Sequence, residues 1–69
     1  MNRTSVSSSN IASIGYDPTS CTLEVEFHNG LIYQYFDVPK PVFDALMSAA
    51  SHGQYFNSHI KERYRFAKV

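Results

Sequence analysis

Residues 22–39 read TLEVEFHNGLIYQYFDVP. From Thr22 to Phe27 the chain alternates: Leu23, Val25 and Phe27 face one way, Thr22, Glu24 and Glu26 the other, the period of a half-buried strand. Leu31 to Phe36 forms a second run, stopped by Asp37-Val38-Pro39, and His28-Asn29-Gly30 between them joins the two as a hairpin. The length of that loop decides where the side chains go. A two-residue Asn-Gly turn pairs His28 with Leu31, sets Tyr33 and Tyr35 opposite Glu26 and Glu24 on the outer face, and points Gln34 into the core. A three-residue loop with Gly30 left-handed in a bulge pairs Phe27 with Leu31. It places Leu31, Tyr33 and Tyr35 with Leu23, Val25 and Phe27, and Gln34 with the glutamates, because a one-residue slip flips every side chain. The bulged loop is expected, since burying a glutamine without partners costs more than burying a tyrosine ring with a satisfied hydroxyl. It leaves Ile32 and Phe36 on the opposite face, where one of them needs cover from a loop or a partner.

Working outward, Asn10 to Tyr16 alternates with Ala12, Ile14 and Tyr16 on one side and reads as a preceding strand. Asp17-Pro18-Thr19-Ser20 is turn chemistry. Cys21 falls in phase with Leu23, which suggests a small buried hydrophobe. After the hairpin, Pro39 and Pro41 open a helix in which Val42, Phe43, Leu46, Met47 and Ala50 form one apolar stripe. Ser51 with Gln54 three residues on resembles the capping box of a second helix, weakened at its start by Gly53, with Tyr55, Phe56, His59, Ile60 and Tyr64 as its inner side. The expected fold is α+β: a three-stranded antiparallel meander (about 10–16, 21–27 and 31–37) packed against two C-terminal helices (about 40–50 and 53–61). Residues 1–8 are expected to be a frayed tail on a single domain, 1–69.

A chain of 69 residues holds one domain at most and buries only about 60% of its unfolded surface. Its single cysteine excludes an internal disulfide. No apolar run approaches the ~20 residues of a membrane span, and the first nine residues lack the apolar core of a secretory signal. A reducing cytoplasm is the expected location. Net charge is zero but unevenly spread: residues 1–60 carry five acids and two bases, whereas residues 61–69 carry four bases and one acid.

That basic segment interleaves Lys61, Arg63, Arg65 and Lys68 with Tyr64 and Phe66. Cations on flexible stems beside aromatic planes suit a phosphate backbone and stacked bases; the plainer reading is a solvated basic end with Tyr64 on the core. Arg63 and Arg65 share one side if the segment is extended. Tyr33 and Tyr35 also suit base stacking if they are open, and core packing if the helices cover them. Enzyme chemistry is not expected. His28, His52 and His59 lack a metal-ligand spacing, no glycine-rich phosphate loop is present, and Cys21 has no nucleophile signature around it. No catalytic residue, metal or cofactor is expected.

The segments SSNIASIGYD (8–17), TLEVEFHNGLIYQYFDVP (22–39), AASHGQYFNSHI (49–60) and RYRF (63–66), taken in order, resemble the KTSC domain. This is a short module found at the C-terminus of some lysyl-tRNA synthetases and as free-standing bacterial proteins of about this size. The resemblance runs from about Val6 to Phe66, and the tyrosine pair of its signature is Tyr33-Gln34-Tyr35. It implies no catalytic residue and, through the synthetase association, contact with RNA. The function expected is thus a non-enzymatic module with weak RNA contact, tRNA included, through Lys61, Arg63, Tyr64, Arg65, Tyr33 and Tyr35. The alternative is a protein-interaction module using a sheet edge or the apolar face around Ile32 and Phe36.

Overall fold

The computed structural model describes all residues, 1–69. The elements are β1 (Arg3–Ser5), β2 (Ile11–Asp17), β3 (Thr22–Phe27), β4 (Ile32–Tyr35), α1 (Lys40–Ser48), α2 (His52–His59) and β5 (Phe66–Lys68). The expected meander is the centre of a larger sheet. Five antiparallel strands run in the order β1-β2-β3-β4-β5, so the three-strand expectation is corrected to five, within the α+β class.

The hairpin adopts the bulged loop. Phe27 N–H donates to the Leu31 carbonyl at 2.9 Å, and Gly30 sits at φ +89°. Val25 pairs with Tyr33, Leu23 with Tyr35 and Glu24 with Gln34. Both tyrosines therefore share the core face, and the Gln34 amide donates to Glu24 Oε1 at 2.8 Å on the other. The core is a cluster of Ile11, Ile14, Leu23, Val25, Tyr35, Val38, Leu46, Phe56 and Ile60. In α1 only Leu46 of the expected stripe is fully buried, and Ala50 lies past the helix end. In α2, Ser51 Oγ accepts from Gln54 N–H at 3.2 Å as a cap. Phe56 and Ile60 point inward, while Tyr55 and His59 stack on each other at 4.4 Å.

Three local expectations are corrected. Ala12 does not share the face of Ile14 and Tyr16. A bulge between Ile11 and Ser13 shifts the register so that Ile11 and Ile14 both enter the core, since an extra residue in one strand re-aims its neighbours. Cys21 is not a buried strand residue. It is half-exposed at φ 53°, closing the turn before β3, and its carbonyl accepts from Val38 N–H at 2.9 Å. Residues 1–8 are not simply a tail. Beyond the pairing of β1 with β2, the Ser8 side chain accepts from Ile11 N–H at 3.2 Å and its carbonyl accepts from His28 Nε2 at 2.8 Å.

The outer face explains how a polar segment becomes a strand. Arg3, Gly15, Glu24, Gln34 and Ala67 form one cross-strand row. Because Gly15 has no side chain, Arg3 lies flat across it. It donates through Nε to Ser13 Oγ at 3.0 Å and through Nη1 to Glu24 Oε2. A Cβ on Gly15 would meet the Asn2 backbone oxygen at 2.7 Å and Arg3 Cγ at 3.0 Å. We predict that Gly15→Ala releases β1 while keeping the helices. Hydrogen exchange should stay slow at Val25 and Leu46 and speed up at the β1–β2 pairing; unchanged exchange at that pairing would refute the close packing.

Candidate nucleic-acid interface

The two helices do not cover the whole inner face of the sheet. Tyr33 and Tyr35 are brought to that face by the hairpin register, and Phe66 joins them because β5 pairs Phe66 with Tyr35. Gly53, Phe56 and Asn57 present one side of α2 to the same place, the three- and four-residue spacing of a helix face. Between them runs an open groove of about 680 Å³. Its floor and walls are aromatic. Phe56 stands edge-on to Tyr35 at 5.3 Å and to Phe27 at 5.5 Å; Phe66 leans on Tyr35 at 5.5 Å and on Tyr33 at 5.8 Å. Asn10, His28, Asn29, Asn57, Lys61 and Glu62 make the polar rim.

The tyrosines divide the work of the wall. Tyr35 is 4% exposed and closes the bottom, whereas Tyr33 is half-buried higher up. Burial, and then the proximity of the Tyr33 hydroxyl, raise the pKa of Tyr35, so it remains a neutral donor at physiological pH. The core alternative therefore holds for Tyr35, whose buried ring is not open to a stacked base, and the expectation is corrected at that position; Tyr33 packs against the same core but lines the groove. Phe66 is 55% exposed and offers the most accessible ring.

Of the basic residues, Lys61 lies on the groove rim. Arg63 is exposed in the turn after α2 and lines a shallow depression with Phe36, Glu62, Tyr64, Arg65 and Phe66. The segment from Ile60 to Tyr64 turns rather than extends, so Arg63 and Arg65 do not share a strand face. Tyr64 is half-buried and packs on the core, the anchoring alternative. Arg65 is committed elsewhere: Nη2 pairs with Asp37 Oδ2 at 2.7 Å, and its guanidinium lies over Phe36 at 5.9 Å. That contact supplies the cover Phe36 needed. Lys61, Arg63 and Lys68 make no ion pair. Register places Lys68 opposite Tyr33, on the groove side.

Sequence reasoning missed Phe27, Phe56, Asn57 and Phe66 as one wall. Phe66 was visible only as an aromatic in a basic tail; its role depends on a strand pairing some 30 residues distant, which no local period announces.

Elsewhere the ionisable side chains are held structurally. His52 Nδ1 donates to the Leu46 carbonyl at 2.8 Å. The Tyr16 hydroxyl donates to the Val38 carbonyl at 2.6 Å and its ring stacks on Phe43 at 4.9 Å. Burial, reinforced by the Cys21 thiol and the Asp44 and Asp17 carboxylates, pushes its pKa up to about 12. No three histidine, cysteine or acidic side chains converge as metal ligands, and no helix is long and apolar enough to cross a membrane.

The chain is similar to known proteins. An uncharacterised protein of Stutzerimonas stutzeri is 43% identical over 70 residues, spanning 100% of this chain and 99% of its own length. A lysine–tRNA ligase of Nostoc sp. is 44% identical over 54 residues, 78% of this chain but only 10% of the ligase. The crystal structure of a KTSC domain protein from Yersinia pestis superposes with a TM-score of 0.94 at 43% identity, over 99% of this chain and 96% of that one. The KTSC domain profile itself matches residues 7–64, and the chain belongs to the KTSC domain family.

Proposed function

We propose that this protein is a non-enzymatic module that makes weak, salt-sensitive contact with RNA, tRNA included, through the groove and its basic rim. The observation that carries the reading is an open aromatic wall with Lys61 on its rim, Lys68 opposite Tyr33 in register and Arg63 in the depression that shares Phe66, all three without ion-pair partners. Aromatic faces bind bases and cations follow the backbone. The related segment within a lysine–tRNA ligase supports an RNA setting. The non-enzymatic part of the reading is supported by how candidate groups are used: His28 and His52 are bonded to backbone carbonyls, and the Cys21 thiol faces the Pro18 carbonyl at 3.9 Å.

Three cations imply about two to three phosphate contacts, and for a single strand a salt slope of roughly −1.4 to −2.1. Anisotropy titrations against labelled single-stranded RNA and tRNA at low salt test this. Lys61→Glu with Arg63→Glu should abolish binding without moving the thermal midpoint, because both residues are exposed and unpaired. Glu62→Gln, which removes the acid from the rim, should tighten it. No signal for the unaltered protein at high micromolar concentration would end the RNA reading.

One observation favours a second reading. Phe66 and Lys68 turn their backbone groups away from β4, since Arg65 and Val69 are the residues bonded to it. An extended peptide could add to that edge. Partners captured from lysate and retained after RNase would favour this reading.

A further inference from the structure

Resting on the RNA reading, we propose that the groove selects unpaired nucleotides: it takes a base swung out of a single strand and excludes the base-paired duplex. The aromatic surface is recessed. Tyr35 and Phe56 are 4% and 3% exposed at the bottom, and only Phe66 rises to the surface. A duplex hides the faces of its bases in the stack and presents sugar and phosphate to a protein, so it cannot reach such a wall. A single splayed base can enter edge-first and lie on Phe66 and Tyr33, whose centroids are 5.8 Å apart. The rim then meets the edge of that base. Asn57 is exposed on the α2 side of the groove and makes no hydrogen bond within the chain, so its amide offers both a donor and an acceptor, the pairing that asparagine uses on base edges.

The charges point the same way. A duplex is held by cations spread along its length. Here Lys61 stands on the groove rim, Lys68 lies opposite Tyr33 and Arg63 lines the depression that shares Phe66, in a molecule only 28 Å long, and the acids Glu24 and Glu26 occupy the outer face of the sheet. Two or three phosphates flanking one inserted nucleotide fit these three cations; a duplex backbone does not.

The test compares a labelled unpaired RNA octamer with a fully paired RNA duplex of the same length, at low salt, on the full chain. The octamer should bind at least tenfold more tightly. Phe66→Leu keeps an apolar side chain on β5 but removes the ring face. It should weaken octamer binding by roughly fivefold to a hundredfold, the range for loss of one stacked base, and leave any residual duplex binding unchanged. Asn57→Ala should narrow differences among octamers of different base composition without changing the salt slope. Equal affinity for octamer and duplex, both lost on Lys61→Glu, would overturn this proposal while leaving RNA binding intact. An absence of binding to either would overturn both.

Discussion

Leu46→Ala should lower the free energy of unfolding by about 2–5 kcal/mol, the range for truncating a fully buried leucine. Leu46 is completely buried and is the only such residue in α1. Its neighbours Val42, Phe43 and Met47 are half-buried around it, so little can collapse into the space left behind. A core in a chain this short supplies only about 3–5 kcal/mol in total. The variant should therefore be largely unfolded near room temperature, with circular dichroism losing helix and sheet together. A thermal midpoint within a few degrees of the unaltered protein would mean that α1 is held by something other than this side chain.

The second large effect is expected at Arg3. Glu24 is 7% exposed although it lies on the sheet face that the helices leave open. It is tolerated there because Gln34 and Arg3 both donate to it, while Ser13 and Glu26 complete the network at 2.9 Å. The Gln34 hydrogen bond first, and then Arg3, hold the Glu24 carboxyl below its ordinary 4.5 against the opposing effect of burial. Arg3→Ala should cost about 1–3 kcal/mol, the penalty for leaving a buried acceptor underserved, and should loosen β1. The pH dependence follows from the depressed pKa. Above about 4.5 both folded and unfolded chains carry the carboxylate, and the stabilisation is fully present. As pH falls below that value the unfolded chain protonates first, so the stabilisation declines until the folded value is passed. Urea titrations from pH 7 to pH 3 should show this loss in the unaltered protein and a smaller one in Arg3→Ala. Parallel pH curves for the two would separate Arg3 from Glu24.

Much of this fold was legible where a short-range rule had only one comfortable solution. Gln34 would have been stranded by the tighter hairpin, so the register of Tyr33 and Tyr35 followed from Gly30 and one polar residue. Pro39, Pro41 and the Ser51 cap marked both helices. The edge strands were not legible. Arg3-Thr4-Ser5 and Phe66-Ala67-Lys68 have no apolar alternation; they are strands because β2 and β4 present unpaired backbone groups, and because Arg3 finds its acids across a glycine. The site was half legible for the same reason. Lys61 and the two tyrosines were recognisable by type, but Phe66 and Asn57 acquire their positions from the placement of β5 and α2. Arg65 looked available and is bound to Asp37, 28 positions away.

The closing strand also has a bearing on the order in which the molecule assembles. β1 to β4 are linked by short connections, so their pairings close small loops. β5 reaches β4 only after both helices have been traversed, with Arg65 accepting from Phe36 N–H at 2.9 Å. Closure of a longer loop carries a larger entropic cost and slows formation. The meander and Leu46 layer should accordingly form first and the Phe66 wall last. Fluctuations of the native state should run the same course in reverse, with β5 detaching before the centre opens. A nascent or partly opened chain would then have its core in place while it still lacked the surface proposed to receive a base, so that on this proposal competence to bind is the final event of folding.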